Sequence, residues 1–383
     1  MRIAQIVPLH IAVPPAGYGG TERVVHNLTE ALVSRGHEVT LFATGDSRTS
    51  AKLVPLAEKG IFFDPSVEWG ALHMAELEYV YARAHQFDVI HSHLDYLTLP
   101  YISRTQTPTV LTLHGRLDQP EFKQIFRANA GATYVSISDS QRRDIPDINW
   151  VATVHHGVDV ASFPYSPRRG KYLLFVGRMS PEKRCDMAIR IAKRAGIPLK
   201  IAAKVDHKEK PYFERTIRPL LDDDMIEFVG EKNEDEKREL MRDALALLLP
   251  IDWPEPFGMV FIEALACGTP VLTRPCGSVP ELLQDGLTGY IAEDEVALAD
   301  AVGRLDRISR LACRRWAEQR FDRQRMAAGY ERVYARAIQR RQPRERARER
   351  APLFSLPRRP ELTPELAPGS FTSEPPIAPV AAQ

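Results

Sequence analysis

Short apolar runs alternate with amphipathic stretches along this chain, and the alternation starts twice. Residues 3–7 form an apolar run. Residues 21–35 then place Val24, Val25, Leu28, Ala31 and Leu32 at helical spacing, before Gly36 ends the pattern. Apolar runs at 39–43, 89–90, 109–113 and 134–137 follow, with a helical stretch at 71–86. A second series opens at Tyr172. Strands are expected at 172–176, 199–203, 226–229, 246–249 and 270–273, with helices at 184–195, 211–221, 234–243 and 258–266. Strands separated by helices predict a mostly parallel sheet with helices on both faces, here built twice.

The expected organisation is a doubly wound domain at 1–160, a turn-rich linker at 161–170 and a second doubly wound domain at 171–308. A long charged helix follows at 309–341, with Trp316, Phe321, Met326, Tyr330 and Tyr334 as its anchors. Residues 342–383 are dense in Pro, Arg and Glu and read as a disordered tail. In such sheets ligands bind outside the carboxyl ends of the strands, so the chemistry is expected in loops that follow strands, at a cleft between the domains.

Composition narrows the function. Lys plus Arg is 51 against Asp plus Glu 50, so no net field favours nucleic acid. Cys185, Cys267, Cys276 and Cys313 are scattered without C-x-x-C spacing, which argues against a zinc site or disulfide framework and suits a reducing cytosol. The first residues run straight into a strand pattern without a signal-peptide stretch, and no segment approaches the roughly 18 apolar residues of a membrane span. The expected location is cytoplasmic, with peripheral contact at the inner face of a membrane left open.

Three loops carry chemistry. Gly17-Tyr18-Gly19-Gly20-Thr21-Glu22 lies between a strand and a helix, where glycines let the backbone approach a phosphate and the helix offers free N–H groups. It is not G-x-G-x-x-G, which weakens a dinucleotide reading. Gly177-Arg178-Met179-Ser180-Pro181-Glu182-Lys183 sets two cations five positions apart beside a strand end, which suits a diphosphate. Glu255-Pro256-Phe257-Gly258-Met259-Val260-Phe261-Ile262-Glu263 puts one carboxylate in a loop and a second about one turn inside a helix. The helix start at Gly258 can meet phosphate, and Glu263 can accept hydrogen bonds from ribose hydroxyls. Other polar clusters read as structure. His91-x-His93 with Asp95, and His155-His156, match no closed metal-ligand set, and His91 and His93 are expected to line the cleft. Asp222-Asp223-Asp224 reads as a solvated turn.

The Glu-x7-Glu spacing at 255–263 resembles the donor-site signature of family 4 glycosyltransferases. Gly19-Gly20-Thr21-Glu22, Arg35-Gly36-His37-Glu38-Val39, Phe87-Asp88-Val89-Ile90-His91-Ser92-His93, Thr112-Leu113-His114-Gly115 and His156-Gly157-Val158-Asp159 are similar to other landmarks of that family. So are the loop at 177–183, Ala266-Cys267-Gly268-Thr269-Pro270-Val271, Gly277-Ser278-Val279-Pro280-Glu281 and Asp285-Gly286-Leu287-Thr288-Gly289-Tyr290. The resemblance spans about residues 1–335. It implies a GT-B fold: two Rossmann-like domains facing a cleft, with the last helix crossing back to the first domain.

By the same resemblance Arg178 and Lys183 grip the donor diphosphate and Glu263 binds ribose. Glu255 faces the transferred sugar, and backbone amides near Phe257, Gly258 and Met259 contact sugar and phosphate. Gly19 and Gly20 approach the diphosphate from the first domain, and His114 falls at the active-site histidine. The family needs no bound metal or other cofactor. Ser278, where a second glycine is common, and the bulky Asp252-Trp253-Pro254 depart from its pattern and bear on which sugar fits.

The expected activity is retaining transfer of a hexosyl group from a nucleotide sugar, UDP by preference, to a saccharide, lipid-linked or small-molecule acceptor. Preorganised cations stabilise the leaving diphosphate. Front-face attack is the route the family implies, with Glu255 as a covalent nucleophile the lesser option. A GT-B epimerase or hydrolase, or a binder without activity, are the competing classes. The helical stretch 121–130, with Phe122, Ile125, Phe126, Lys123 and Arg127, reads as an amphipathic lid before it reads as a membrane contact.

Overall fold

The structure, a computed structural model, describes residues 1–340 apart from Tyr18, Phe62, Phe63, Pro65, Asp222 and Asp223. The Asp222-Asp223 part of the acidic turn and the tail at 342–383 lie outside the described residues. A seven-stranded sheet contains β1 (Arg2–Ile6), β2 (Glu38–Thr44), β3 (Lys52–Ala57), β4 (Val89–Ser92), β5 (Thr109–Thr112), β6 (Thr133–Ser136) and β7 (Trp150–Thr153). A six-stranded sheet contains β8 (Leu173–Arg178), β9 (Leu199–Lys204), β10 (Ile226–Phe228), β11 (Ala246–Leu249), β12 (Val271–Thr273) and β13 (Gly289–Ile291). The orders are β3-β2-β1-β4-β5-β6-β7 and β10-β9-β8-β11-β12-β13, and every pairing is parallel. Both orders reverse beside their first strand, so each domain has a switch point, at β1/β4 and at β8/β11.

Burial explains which strands were legible. The central β4, β5, β11 and β12 are buried at every position, as a strand covered on both faces must be. β3 and β7 are sheet edges with half-buried residues, β3 interrupted by Pro55, and β13 has three residues. These three escape the pattern reading.

The helices that place the site are α1 (Gly20–Ser34), α2 (Trp69–Tyr81), α3 (Pro120–Ala128), α4 (Cys185–Ala195), α5 (Glu234–Asp243), α6 (Met259–Ala266), α7 (Glu295–Val302), α8 (Arg310–Phe321) and α9 (Arg323–Gln339). α5 starts on a full capping box between Asn233 and Glu236. α3 buries Phe126 and packs Phe122 and Ile125 against the first domain's core, while its exposed Arg127 pairs with Asp147.

Three helical expectations need correction. The stretch 71–86 ends its α-helix at Tyr81 and closes with a 3-10 turn at Ala84–Gln86. The stretch 211–221 is no regular helix: one turn at Lys210–Tyr212 passes into a π-turn at Phe213–Ile217 and a 3-10 turn at Arg218–Leu220, with Pro211 and Pro219 removing amide donors. The single helix at 309–341 is two. Asp322 leaves helical geometry at φ −70 and ψ 142, and its carboxylate caps α9 by accepting from Gln324 N. α8 therefore packs on α6 in the second domain and α9 on α1 in the first.

α9 is held deeply. Met326, Ala327, Tyr330, Val333 and Tyr334 join Ile3, Val24, Leu28 and Val110 in one buried cluster. At the start of α8, Arg310 is 8% exposed and donates to the carbonyls of Ser166, Ala244 and Arg242 and to Thr269 Oγ1. It thereby ties the segment before β8 to the second domain. Arg310→Ala strands those acceptors, and since hydrogen bonds to a charged group contribute about 1.5–3 kcal/mol, the expected loss is about 3 kcal/mol. Urea unfolding measures it; a loss below about 1 kcal/mol would show that water replaces the guanidinium there.

Candidate active site

A cavity of about 400 Å³ lies between the two sheets, and loops at the carboxyl ends of strands in both domains line it. All ten residues singled out from the sequence, Gly19, Gly20, His114, Arg178, Lys183, Glu255, Phe257, Gly258, Met259 and Glu263, line this one cavity. From the first domain, Gly19 has φ 150 and α1 begins at Gly20. A Cβ on Gly19 would meet Pro15 at 2.8 Å, whereas one on Gly20 would meet nothing within 4 Å. Gly19 is thus required by the turn, and Gly20 leaves the helix start open.

From the second domain, Arg178 ends β8 and faces two carboxylates, Glu182 at 3.4 Å and Glu209 at 3.7 Å. Lys183 is ion-paired directly with Glu255, whose Oε2 also accepts from Trp253 Nε1 at 3.0 Å. The pair is 72 residues apart in sequence, so the structure joins two groups that the sequence reading assigned separately to phosphate and to sugar. Trp253 lines the cavity, and the Lys183 ammonium sits 5.1 Å from its ring centroid. Asp252 turns away to pair with Arg184 and Arg274.

The loop between the two glutamates is braced. Gly258 has φ 82, and a Cβ there would strike the Phe261 ring at 2.7 Å. Ser278 N donates to Glu255 O at 3.0 Å and Ser278 Oγ to Phe257 O at 2.7 Å, so the serine in place of a glycine fastens this loop. Phe257 is buried against His156 and Phe321, leaving its backbone to the cavity.

Glu263 sits in the first turns of α6 and is 2% exposed. Burial alone would raise its pKa, but the Lys237 ammonium and the Arg23 guanidinium outweigh that and hold it below the usual carboxylate range. Lys237 Nζ lies 2.9 Å from Oε2, while Oε1 has no hydrogen-bond partner. An ionised, buried carboxylate with an unused acceptor is suited to a hydroxyl.

A buried imidazole group lies under the first domain's side. His114 Nε2 is 2.8 Å from His93 Nδ1, and His93 Nε2 is 2.8 Å from Gln5 Oε1. Gln5 Nε2 donates to Tyr334 OH, which also meets His91 Nδ1 at 2.7 Å. His91 Nε2 meets Thr112 Oγ1, and Thr112 meets Tyr330 OH. Burial holds His91 and His93 well below the usual histidine value and lowers His114 to about 3. With these rings neutral, His93 Nε2–H donates to Gln5, so His93 Nδ1 accepts from His114 Nε2–H. His114 Nδ1 is left as an unpartnered acceptor. His91 and His93 were expected to line the cleft; they lie instead beneath its wall, fully occupied by hydrogen bonds. His156 stacks on His114 with centroids 5.2 Å apart and does line the cavity, while His155 pairs with Glu281. Among the described residues no group of three or more His, Cys, Asp or Glu is arranged to hold a metal ion.

Two acids that the sequence placed only within larger motifs are buried. Burial pushes Glu22 up to about 7 against its backbone hydrogen bond and Arg23, and pushes Asp95 up to about 7 although the His114 N–H bonds it. Arg23, Glu234 and Lys237 were missed, because charges at helix starts look like ordinary solvated surface until two domains meet.

A family model described as "Glycosyl transferases group 1" matches residues 163–350, and one described as "Glycosyltransferase Family 4" matches residues 18–162. The chain is 28% identical over 354 residues to a glycogen synthase of Mycobacterium tuberculosis, covering 76% of this chain and 83% of that one. It is 26% identical over 329 residues to a phosphatidyl-myo-inositol mannosyltransferase of Mycolicibacterium smegmatis, covering 76% and 80%. Among solved structures, Anabaena HepE in complex with UDP and glucose superposes with a TM-score of 0.69 at 18% identity, covering 88% of this chain and 100% of that one. Its likeness shows the fold, GT-B. Among the described residues no helix is long and apolar enough to cross a membrane.

The buried rings set the pH response. His91, His93, His114, His156 and His73 are lowered by burial, so each titrates near 6.5 when unfolded and lower when folded. Their contribution is present above about pH 6.5 and lost as pH falls toward the folded values. Glu22 and Asp95, raised by burial to about 7, and Glu76, raised well above its usual value by burial, act oppositely, gaining as pH falls through their folded values. His10 and His26 are lowered by burial as well and Asp144 is raised by it, so seven rings stand against four acids and leave net proton uptake on unfolding, about 1.4 kcal/mol per pH unit for each uncompensated proton. The urea midpoint should therefore drop between pH 6.5 and 5, and a flat or rising midpoint contradicts neutral burial of the rings.

Proposed function

We propose that this chain, which belongs to the family 4 glycosyltransferases, transfers a hexosyl group from a nucleotide sugar to an acceptor with retention at the anomeric carbon. One observation carries the donor reading: a single cavity gathers six cationic side chains, Arg178 and Lys183 among them, two helix starts and an ionised, buried carboxylate with a free acceptor oxygen. A nucleoside diphosphate sugar offers the complement of each, namely two phosphates, a ribose and a hydroxyl-rich ring. UDP is the favoured carrier, and the UDP and glucose held by HepE support it.

In this reading Arg178, Lys183 and the α6 start neutralise the departing diphosphate, and the Gly19-Gly20 backbone closes over it from α1. Glu263 accepts from ribose. Glu255 faces the sugar, paired with Lys183 and the Trp253 N–H, and that pairing favours a positioning carboxylate over a nucleophile. The reaction then proceeds on one face. The anomeric carbon's bond to the phosphate oxygen breaks as its bond to the acceptor oxygen forms, and the leaving phosphate takes the acceptor's proton. His114 stands beside the sugar with Nδ1 as an acceptor for a hydroxyl. A saccharide, lipid-linked alcohol or small hydroxyl compound serves as acceptor.

Thermal unfolding with UDP, GDP, ADP and NAD tests the donor reading. A ligand bound only by the native state adds about 2.7 kcal/mol at 100 times its dissociation constant. Stabilisation by one nucleoside diphosphate alone is expected, and stabilisation by NAD alone would overturn the reading. Lys183→Ala should cut kcat by about a hundredfold, the loss typical of removing one transition-state donor, and should also lower the melting temperature, because it leaves the mostly buried Glu255 carboxylate without its ion pair; kcat is therefore read well below that temperature. Normal turnover in a destabilised variant would end its assigned role. Glu263→Ala should weaken the nucleoside diphosphate, and unchanged affinity by calorimetry would remove ribose from its description.

A further inference from the structure

Arg23 is the first-domain side chain that reaches the proposed ribose carboxylate. It leaves the first turn of α1 and crosses the cleft. Its Nη2 lies 2.6 Å from Glu234 Oε1 on α5 and donates to Gly17 O at 2.8 Å, while its Nη1 lies 3.9 Å from Glu263 Oε1. Lys237 completes the group, 2.8 Å from Glu234 and 2.9 Å from Glu263. Both members of the Arg23–Glu234 pair are mostly buried, at 13% and 21% side-chain exposure, so solvent screens this pair less than an ordinary surface one.

The pair also stands as a partition. Arg23 and Glu234 line the donor cavity, and both also line a second interdomain cavity of about 740 Å³. Asp159 and Arg323 close that second cavity at the place where the chain passes between domains. The ion pair therefore spans the cleft between the donor cavity and the crossing segments. Lys237, from the same domain as Glu263, stays beside it whatever the cleft does. Arg23 stays only while the domains keep this separation.

We propose that Arg23 is a closure latch. By pairing with Glu234 across the cleft, it holds the domains together on the ribose side and fixes the Glu234–Lys237–Glu263 group in place. It is a positioning residue, acting through Glu234 and Glu263, and donor release requires the pair to break. The proposal rests on the reading of the cavity as a nucleoside diphosphate site.

A double-mutant cycle on nucleotide affinity tests it, with UDP, GDP and ADP as probes and the wild type measured first. Arg23→Ala and Glu234→Ala should each weaken binding about tenfold, chiefly through faster dissociation. The double variant should lose clearly less than the product of the two single losses, because both changes break the shared Arg23–Glu234 pair, while Glu234 also meets Lys237 and Arg23 also meets Gly17 O. Arg23→Lys should recover part of the loss. Equal affinity in the wild type and both single variants, or losses that multiply in the double variant, overturn the latch and leave the nucleotide reading standing. A wild type that binds none of the three overturns that reading and the latch with it. Melting temperatures without nucleotide accompany each variant, and if Arg23→Ala does not fold, Glu234→Gln supplies the same comparison.

Discussion

The chain passes between its domains at Val158 and again at Asp322, and the two passes are hydrogen-bonded to each other. Val158 N donates to Phe321 O at 2.9 Å, and Arg323 N donates to Val158 O at 2.8 Å. Gly157 fits because a Cβ there would meet the backbone of Asp322 and Arg323 at 2.9 Å. Everything about the cleft depends on this narrow join. It sets the two switch points facing each other, so loops more than 200 residues apart in sequence, at Gly19-Gly20 and at Gly258-Met259, share one cavity. It also sends α9 back under the first sheet, where Tyr330 and Tyr334 reach the imidazole group beneath His114.

Away from the join, polar contacts among the described residues cross the cleft on two sides. Glu281 accepts from Asp139 N, Ser140 N and His155 on one side, and Ser138 Oγ donates to Pro256 O beside it. Arg23 and Glu234 meet on the other. Large apolar contact would lock two domains; a narrow join with polar rims leaves relative motion as the default expectation. Such a design suits a site that must exclude water during transfer and then release a charged product.

Much of this was legible in the sequence because the site is built from local loops. A loop such as 177–183 or 255–263 carries its own geometry, so glycine position and helix start could be read from neighbours alone. All ten singled-out residues share a cavity for that reason. Long-range electrostatics left no such trace. Lys183 meets Glu255, and Arg23 meets Glu234, only once the fold is made. The break at Asp322 had a local signal: an Asp, a favoured helix cap, stands after Phe321 inside a helical pattern. The periodicity on both sides outweighed it, because α8 and α9 are each amphipathic toward a different domain.

The polar core of the first domain has a physical logic of its own. Buried imidazoles are costly unless each nitrogen finds a partner or the ring stays neutral. Here Gln5 and His114 partner His93, Thr112 and Tyr334 partner His91, Tyr330 in turn bonds Thr112, and burial keeps both rings uncharged. In the proposed reading the cavity holds a diphosphate, and a neutral base layer beside it then matters. A fixed positive charge under His114 would draw the phosphates toward the sugar's place and blur the register between them. With the layer neutral, the cations that line the cavity, Arg23, Arg178, Lys183, Lys204, Lys232 and Lys237, all stand outside it. In the proposed reading Arg178 and Lys183 then hold the phosphates, and the sugar lies toward Trp253, Glu255 and His114.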